Sequence, residues 1–274
     1  MRHVIAAALV ILSACSSSTP SESPDTNNNL AFALQGDPAS AVGATWTLRG
    51  TENGVFYDLE GVLFKPAGNG PFPAVIISHG FGGNARGYSR GIANEMVNWG
   101  MVTIATNYTH ANGVPLGSPG GATELGASTA NVQRARQVHG ILMRLGYVDS
   151  TRVTAHGHSM GAYVTIALIG AHPALFRAAS LTAGGIRAGL NETPGAAPVE
   201  AQVVNTRVPL QMHHGDVDNV VPISQAQRLD SLLTRLNVSH QLVVYPGWDH
   251  DDPARNPLVL DRVRAWYRQW GALP

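Results

Sequence analysis

The sequence contains one cysteine, Cys15, so it can form no intrachain disulfide and cannot build a cysteine-ligated zinc site or an iron–sulfur cluster. Charge is also scarce. Only 13% of the 274 residues are charged, and 18 basic side chains balance 18 acidic ones. Without a basic excess to neutralise phosphates, nucleic-acid binding is excluded as a main function. The apolar run from Val4 to Leu12 has nine residues, short of the ~20 needed to cross a bilayer. Glycine and proline are plentiful, at 30 and 17, but they punctuate apolar runs and form no low-complexity tract. The length suits one large domain and is short for two.

The run at Val4–Leu12 does have the length of a secretory-signal core, with Arg2 before it and Leu12-Ser13-Ala14-Cys15 after it. The small residues ahead of the cysteine resemble the lipobox of bacterial lipoproteins, where cleavage leaves a diacylated cysteine. The resemblance implies a signal peptide at 1–14, lipidation of Cys15 and anchoring in the bacterial cell envelope, facing outside the cytoplasm. Secretion is the alternative if Cys15 is not lipidated. Residues 16–29 hold no apolar side chain and read as a flexible tether. The folded domain is expected over 30–274.

Within that domain, 44–49 and 55–65 read as antiparallel lead-in strands, the second alternating and ending at Pro66. Then the pattern changes. Short apolar runs at 74–78 and 101–106 are of the buried parallel kind, with a helix between them around 92–99. Val132, Ala135, Val138, Leu142 and Leu145 recur at helical spacing before a strand at 152–156. Further strands are expected at 178–182, 208–213 and 241–245. Helices are expected after Ser159, at 225–236, and from Asn256-Pro257 to just before Gly271. This βαβ alternation predicts an α/β fold with a mostly parallel, doubly wound sheet, which places ligands at the strand C-terminal ends.

Chemistry concentrates there. Gly157-His158-Ser159-Met160-Gly161 stands between a strand and an apolar helix, the context in which a G-x-S-x-G motif presents a nucleophilic serine on a tight turn. Glycines flank the serine because side chains there would collide. The Met160 N–H, at the helix N-terminus, would face an oxyanion formed at Ser159. Such a serine needs a base, and the base an orienting carboxylate. His214-Gly215-Asp216-Val217-Asp218-Asn219-Val220-Val221-Pro222 and Tyr245-Pro246-Gly247-Trp248-Asp249-His250 each follow a strand, in the right order.

With these three motifs the chain resembles the α/β-hydrolase superfamily, more narrowly its dienelactone-hydrolase-like and prolyl-oligopeptidase-like serine hydrolases, from about residue 59 onward. The resemblance implies the α/β-hydrolase fold, Asp218 as acid and His250 as base. Spacing alone does not separate Asp218 from Asp216. His79-Gly80-Phe81 resembles the family's oxyanion turn, and the match makes the Phe81 N–H the second oxyanion donor. Dienelactone hydrolysis itself is disfavoured, because that enzyme carries cysteine where this chain has Ser159.

The expected activity is therefore a carboxylesterase-type serine hydrolase that acts through Ser159, His250 and Asp218 and an acyl-enzyme. No cofactor is implied. No metal is expected at 249–252, since no second histidine stands at helical spacing. Glycine-rich 107–128 should border the pocket, and 184–205 is too short for a lid. An open cleft of this kind suits small-molecule or polymer esters. Trp248 and Phe81 could form an aromatic substrate wall or simply pack. Three alternatives stay open: peptide cleavage, for which prolyl-oligopeptidase relatives use a propeller that has no room here; polyester hydrolysis, from a weaker resemblance to cutinases at Ser159-Met160-Gly161; and a non-catalytic binding lipoprotein. His156 and His158 read as shaping the elbow, and His213 and His214 as packing or loop-stabilising.

Overall fold

A computed structural model describes residues 28–112, 124–189 and 196–274, except for the side chains of 88–90. The signal segment, Cys15 and nearly all of the tether lie outside the described residues, as do 113–123 and 190–195. The chain runs β1 (Ala31–Gln35), β2 (Ala44–Glu52), β3 (Val55–Phe64), β4 (Phe72–Ser78), α1 (Ala85–Asn98), β5 (Val102–Thr106), α2 (Thr129–Arg144), β6 (Val148–His158), α3 (Met160–Ala171), β7 (Ala178–Thr182), β8 (Leu210–Gly215), α4 (Ile223–Arg235), β9 (His240–Tyr245) and α5 (Pro257–Gln269).

The strands form one sheet in the order β1-β2-β3-β5-β4-β6-β7-β8-β9. β1, β2, β3 and β5 pair antiparallel, and every pair from β5 to β9 is parallel. β4 (FPAVIIS) and β5 (VTIAT) are buried almost end to end, as strands covered on both faces must be. One face packs under α2, α3 and α4, through side chains such as Val138, Ile166 and Leu229. The other packs under α1 and α5, through Ile92, Met96, Val263 and Tyr267. α3 is apolar on all sides and buried from Gly161 to Gly170, so it is a core element.

The order turns at β4. The chain first steps outward to β5, then crosses back to β6 on the other side, which opens a crevice at the C-terminal ends of β4 and β6. The segment after β4 carries His79-Gly80-Phe81, and Ser159 follows β6 directly.

Three elements depart from the sequence expectation. β1 is an additional lead-in strand; it lies at the sheet edge almost wholly exposed, so no buried alternation marks it. α1 starts well before residue 92 because the Asn84 side chain caps it by accepting the Gly87 N–H at 2.7 Å. β6 starts at Val148, whose partner is Phe72. In the β7–β8 crossover, the described residues form only a 3-10 turn at Glu200–Gln202 and a single bridge between Arg187 and Val199. No helix among the described residues is long and apolar enough to cross a membrane.

Candidate active site

Ser159 occupies the strained turn that its motif predicts, with φ 54° and ψ −121°. Few residues other than glycine adopt a positive φ, and such strain persists only where neighbours over-determine it. Here β7 does so, since the Thr182 carbonyl accepts the Ser159 N–H at 3.0 Å. The flanking glycines are required sterically. A Cβ on Gly161 would lie 2.1 Å from the Ser78 carbonyl oxygen of β4, and one on Gly157 would lie 2.3 Å from the Gly161 oxygen. Gly161→Ala should therefore force the turn off β4 and cost ~3 kcal/mol, the upper end of overpacking costs. Urea unfolding should register that loss together with a fall in turnover; wild-type stability in the variant would contradict the packing argument.

The serine meets a histidine brought from β9. His250 Nε2 lies 2.9 Å from Ser159 Oγ, and His250 Nδ1 lies 2.8 Å from Asp218 Oδ2. Asp218 Oδ1 also accepts the Val220 and Val221 N–H groups, at 2.9 and 2.8 Å. His214 Nε2 stands 3.2 Å from Asp218 Oδ2 and 2.9 Å from the Val221 carbonyl. Both of those neighbours are acceptors, so that nitrogen carries the proton. Burial alone would raise the Asp218 pKa, but the bonds from His214, His250, Val221 and Val220 outweigh it and hold the carboxyl well below its ordinary range. Asp216 is elsewhere, accepting the Gly247 N–H at 2.7 Å. Geometry thus separates the two acids where spacing did not.

The turn after β4 is clamped from the segment after β5. His79 Nε2 accepts the Tyr108 N–H at 3.2 Å, which leaves Nδ1 to donate to the Gly80 carbonyl at 2.8 Å. His110 Nε2 donates to the His79 carbonyl at 3.0 Å, and the His110 carbonyl accepts the Gly82 N–H at 3.0 Å. The Phe81 N–H, between these bonded groups, has no acceptor among the described residues. Met160, the first residue of α3, has no intrahelical acceptor for its N–H. Nothing in the sequence singles out Tyr108 or His110, because only the fold brings β4 and β5 side by side.

Ser159 and His250 open into a cleft of about 540 Å³ that Gly80, Phe81, His158, Val220 and Asp251 also line. Phe81 and Val220 are 69% and 59% exposed, so the mouth is apolar on two sides. Trp248 does not line it. Its ring stacks on Tyr245, with centroids 4.2 Å apart and planes 12° from parallel, against the α1/α5 core. Of the two readings of Trp248, substrate wall or packing, its described contacts are those of packing. His158 does more than shape the elbow: it reaches the cleft, with Nδ1 2.9 Å from Thr182 Oγ1, Nε2 3.3 Å from Asp251 Oδ1 and its ring 5.1 Å from that of His250. Burial, aided by His250, lowers its pKa to about 4 against the pull of Asp251. A separate hollow of about 210 Å³, lined by Phe56, Asp58 and Arg134 among others, contains none of these side chains.

A parallel sheet with its order reversing at β4 and a serine on a strained turn after β6 is the arrangement of an α/β-hydrolase. Residues 59–258 match the model of the dienelactone hydrolase family, and the chain belongs to that family. Membership makes it a hydrolase. No curated protein matches the chain. Among solved structures, a Klebsiella pneumoniae protein described as a dienelactone hydrolase has a TM-score of 0.62 at 18% identity, covering 88% of this chain and 100% of its own. Esterase 2 of Thermogutta terrifontis, solved with propionate bound, has a TM-score of 0.61 at 17% identity, covering 81% and 92%. That esterase has also been solved phosphonylated by cyclosarin. A Bacteroides ovatus protein described as a dipeptidyl aminopeptidase IV has a TM-score of 0.63 at 17% identity over 88% of this chain, which spans only 36% of that protein's length. At these identities the likeness is one of fold.

Proposed function

We propose that the chain is a serine carboxylic-ester hydrolase working through Ser159, His250 and Asp218. The observation that carries this reading is His250, hydrogen-bonded at once to Ser159 Oγ and to Asp218. Asp218 holds Nδ1 protonated and leaves the Nε2 lone pair to accept the Ser159 proton as Oγ attacks the ester carbonyl. The Phe81 and Met160 amides, both without acceptors among the described residues, would bind the oxyanion. His250 then passes its proton to the leaving alcohol. Water, deprotonated by the same nitrogen, releases the acid and restores the serine. Acyl transfer of this kind needs no cofactor. The open cleft with apolar Phe81 and Val220 at its mouth suits small-molecule esters and accessible polymer esters.

The experiment is turnover of a p-nitrophenyl ester series, from acetate to long chains, beside labelling with a fluorophosphonate and mapping of the adduct. Turnover favouring short chains and an adduct on Ser159 are expected. Silence across the series in folded protein that also resists the label would refute the reading. We also propose, on the sequence alone, that the domain is tethered to the cell envelope by a lipid on Cys15; mass spectrometry of the mature N-terminus decides this.

A further inference from the structure

We propose that His158, His250 and Asp251 form a binding site for a zinc- or copper-type divalent cation, and that its occupancy switches the hydrolytic site off. Each of the three offers a ligand atom, and these atoms lie within 4.8 Å of one another. His158 Nε2 and Asp251 Oδ1 are 3.3 Å apart. Ligands bound at about 2.0–2.1 Å in a tetrahedral zinc site stand about that far from each other. Asp251 is 91% exposed on its side chain and free to swing, so it can supply the remaining adjustment.

The surroundings of the two rings fit metal ligation. A ligating histidine usually gives its other ring N–H to a carboxylate or another oxygen, which fixes the tautomer and raises ligand basicity. His250 Nδ1 is held by Asp218, so its Nε2 lone pair faces the cleft. His158 Nε2 faces the Asp251 carboxylate, so it carries a proton that the cation would displace; once that proton is lost, His158 Nδ1 can donate to Thr182 Oγ1 at 2.9 Å and present its Nε2 lone pair to the ion. Asp249 and Asp252 stand on the same turn, two carboxylates to the one guanidinium of Arg255 at the cleft wall. Two imidazoles select zinc and copper over the hard oxygen-seeking cations magnesium and calcium.

The functional consequence rests on the reading of His250 as base. The lone pair that would coordinate the metal is the one that must take the Ser159 proton, so a bound ion and a competent nucleophile exclude each other. No bond beyond coordination forms, and removing the metal restores the site.

Binding and inhibition are read separately. Calorimetric titration of Ser159→Ala with zinc chloride should give one site, and cobalt(II) should develop the visible absorption of a tetrahedral complex. His158→Gln and Asp251→Asn should each weaken zinc binding at least about ten-fold. Asp251 is a surface side chain, so its variant tests the site even if His158→Gln folds poorly. In the wild-type protein, zinc should abolish ester turnover, EDTA should restore it, and magnesium should do neither. Absence of zinc binding, or binding unchanged in Asp251→Asn, overturns the metal site. A normal titration in a protein that turns over no ester would leave the metal site standing and refute the hydrolase reading instead.

Discussion

Replacing Ser159 by alanine is expected to reduce ester turnover by roughly 10⁴- to 10⁶-fold while leaving the fold intact. The fold should survive because the hydroxyl is not a structural contact. Its one partner among the described residues is His250, at 2.9 Å, and the turn itself is held by the Ser159 N–H bond to Thr182 and by the fit of Gly157 and Gly161. Alanine keeps the Cβ that the strained turn already accommodates, so circular dichroism and urea midpoint should match wild type. Asp218→Asn should cost about 10⁴ in turnover by a different route, because an amide no longer fixes His250 in the tautomer that presents a lone pair to the serine. It should also lower stability, since Asp218 accepts from His214, Val220 and Val221 as well. Stopped-flow or steady-state assay beside an unfolding curve separates the two cases. Near-normal turnover in Ser159→Ala would remove the serine from the mechanism altogether.

The elements that sequence reading located best are those where local and global demands coincide. β4, β5 and β7 are short apolar runs because both faces are buried, and G-x-S-x-G has meaning because a strand precedes it and an all-apolar helix follows. The choice of Asp218 as the partner of His250 is within reach of the sequence only through the family resemblance of the His214–Pro222 motif, since spacing leaves Asp216 open. What stayed out of reach depends on side chains converging from distant strands. His110 reaches the turn after β4 only because β5 pairs with β4, and His158 meets Asp251 across a sequence separation of 93. Histidine spacing at 249–252 could not show that meeting, because His158 arrives from another strand. Trp248 shows the opposite limit: it stands two residues from His250 in sequence, yet its ring stacks on Tyr245.

Acidification from pH 7 to pH 5 is expected to remove most of the stability of this domain, and histidines outside the proposed triad are the cause. His79, His110, His156 and His213 are buried, at 0%, 4%, 0% and 0% exposure. Burial is the largest influence on each, lowering His79 to about 4 and the other three to about 3 from an ordinary 6.5; repulsion between the charged forms adds to it, from His79 and Arg134 at His110, from His158 at His156, and from His156 and Arg262 at His213. They are bonded as neutral rings within the sheet: His156 Nδ1 to Ser180 Oγ at 2.7 Å, and His213 Nδ1 to Tyr245 Oη at 2.8 Å. Between pH 6.5 and about 4 the unfolded chain therefore binds protons that the folded chain refuses, so stability rises with pH across that window and is fully present only above it. Each histidine contributes about 1.4 kcal/mol per pH unit, or about 2 kcal/mol by pH 5. Four together reach about 8 kcal/mol, within the range of a whole domain's stability. The depressed Asp218 acts in the same direction, but only below the ordinary carboxylate range, so it adds little above pH 5. Urea midpoints measured at half-unit steps should fall steeply below pH 6.5, with a slope reduced by about a quarter in His156→Gln, where one of the four refusing groups is gone. A flat profile from pH 7 to 5 would mean that these rings take up protons in the folded state, and that the sheet interior is far wetter than its packing implies.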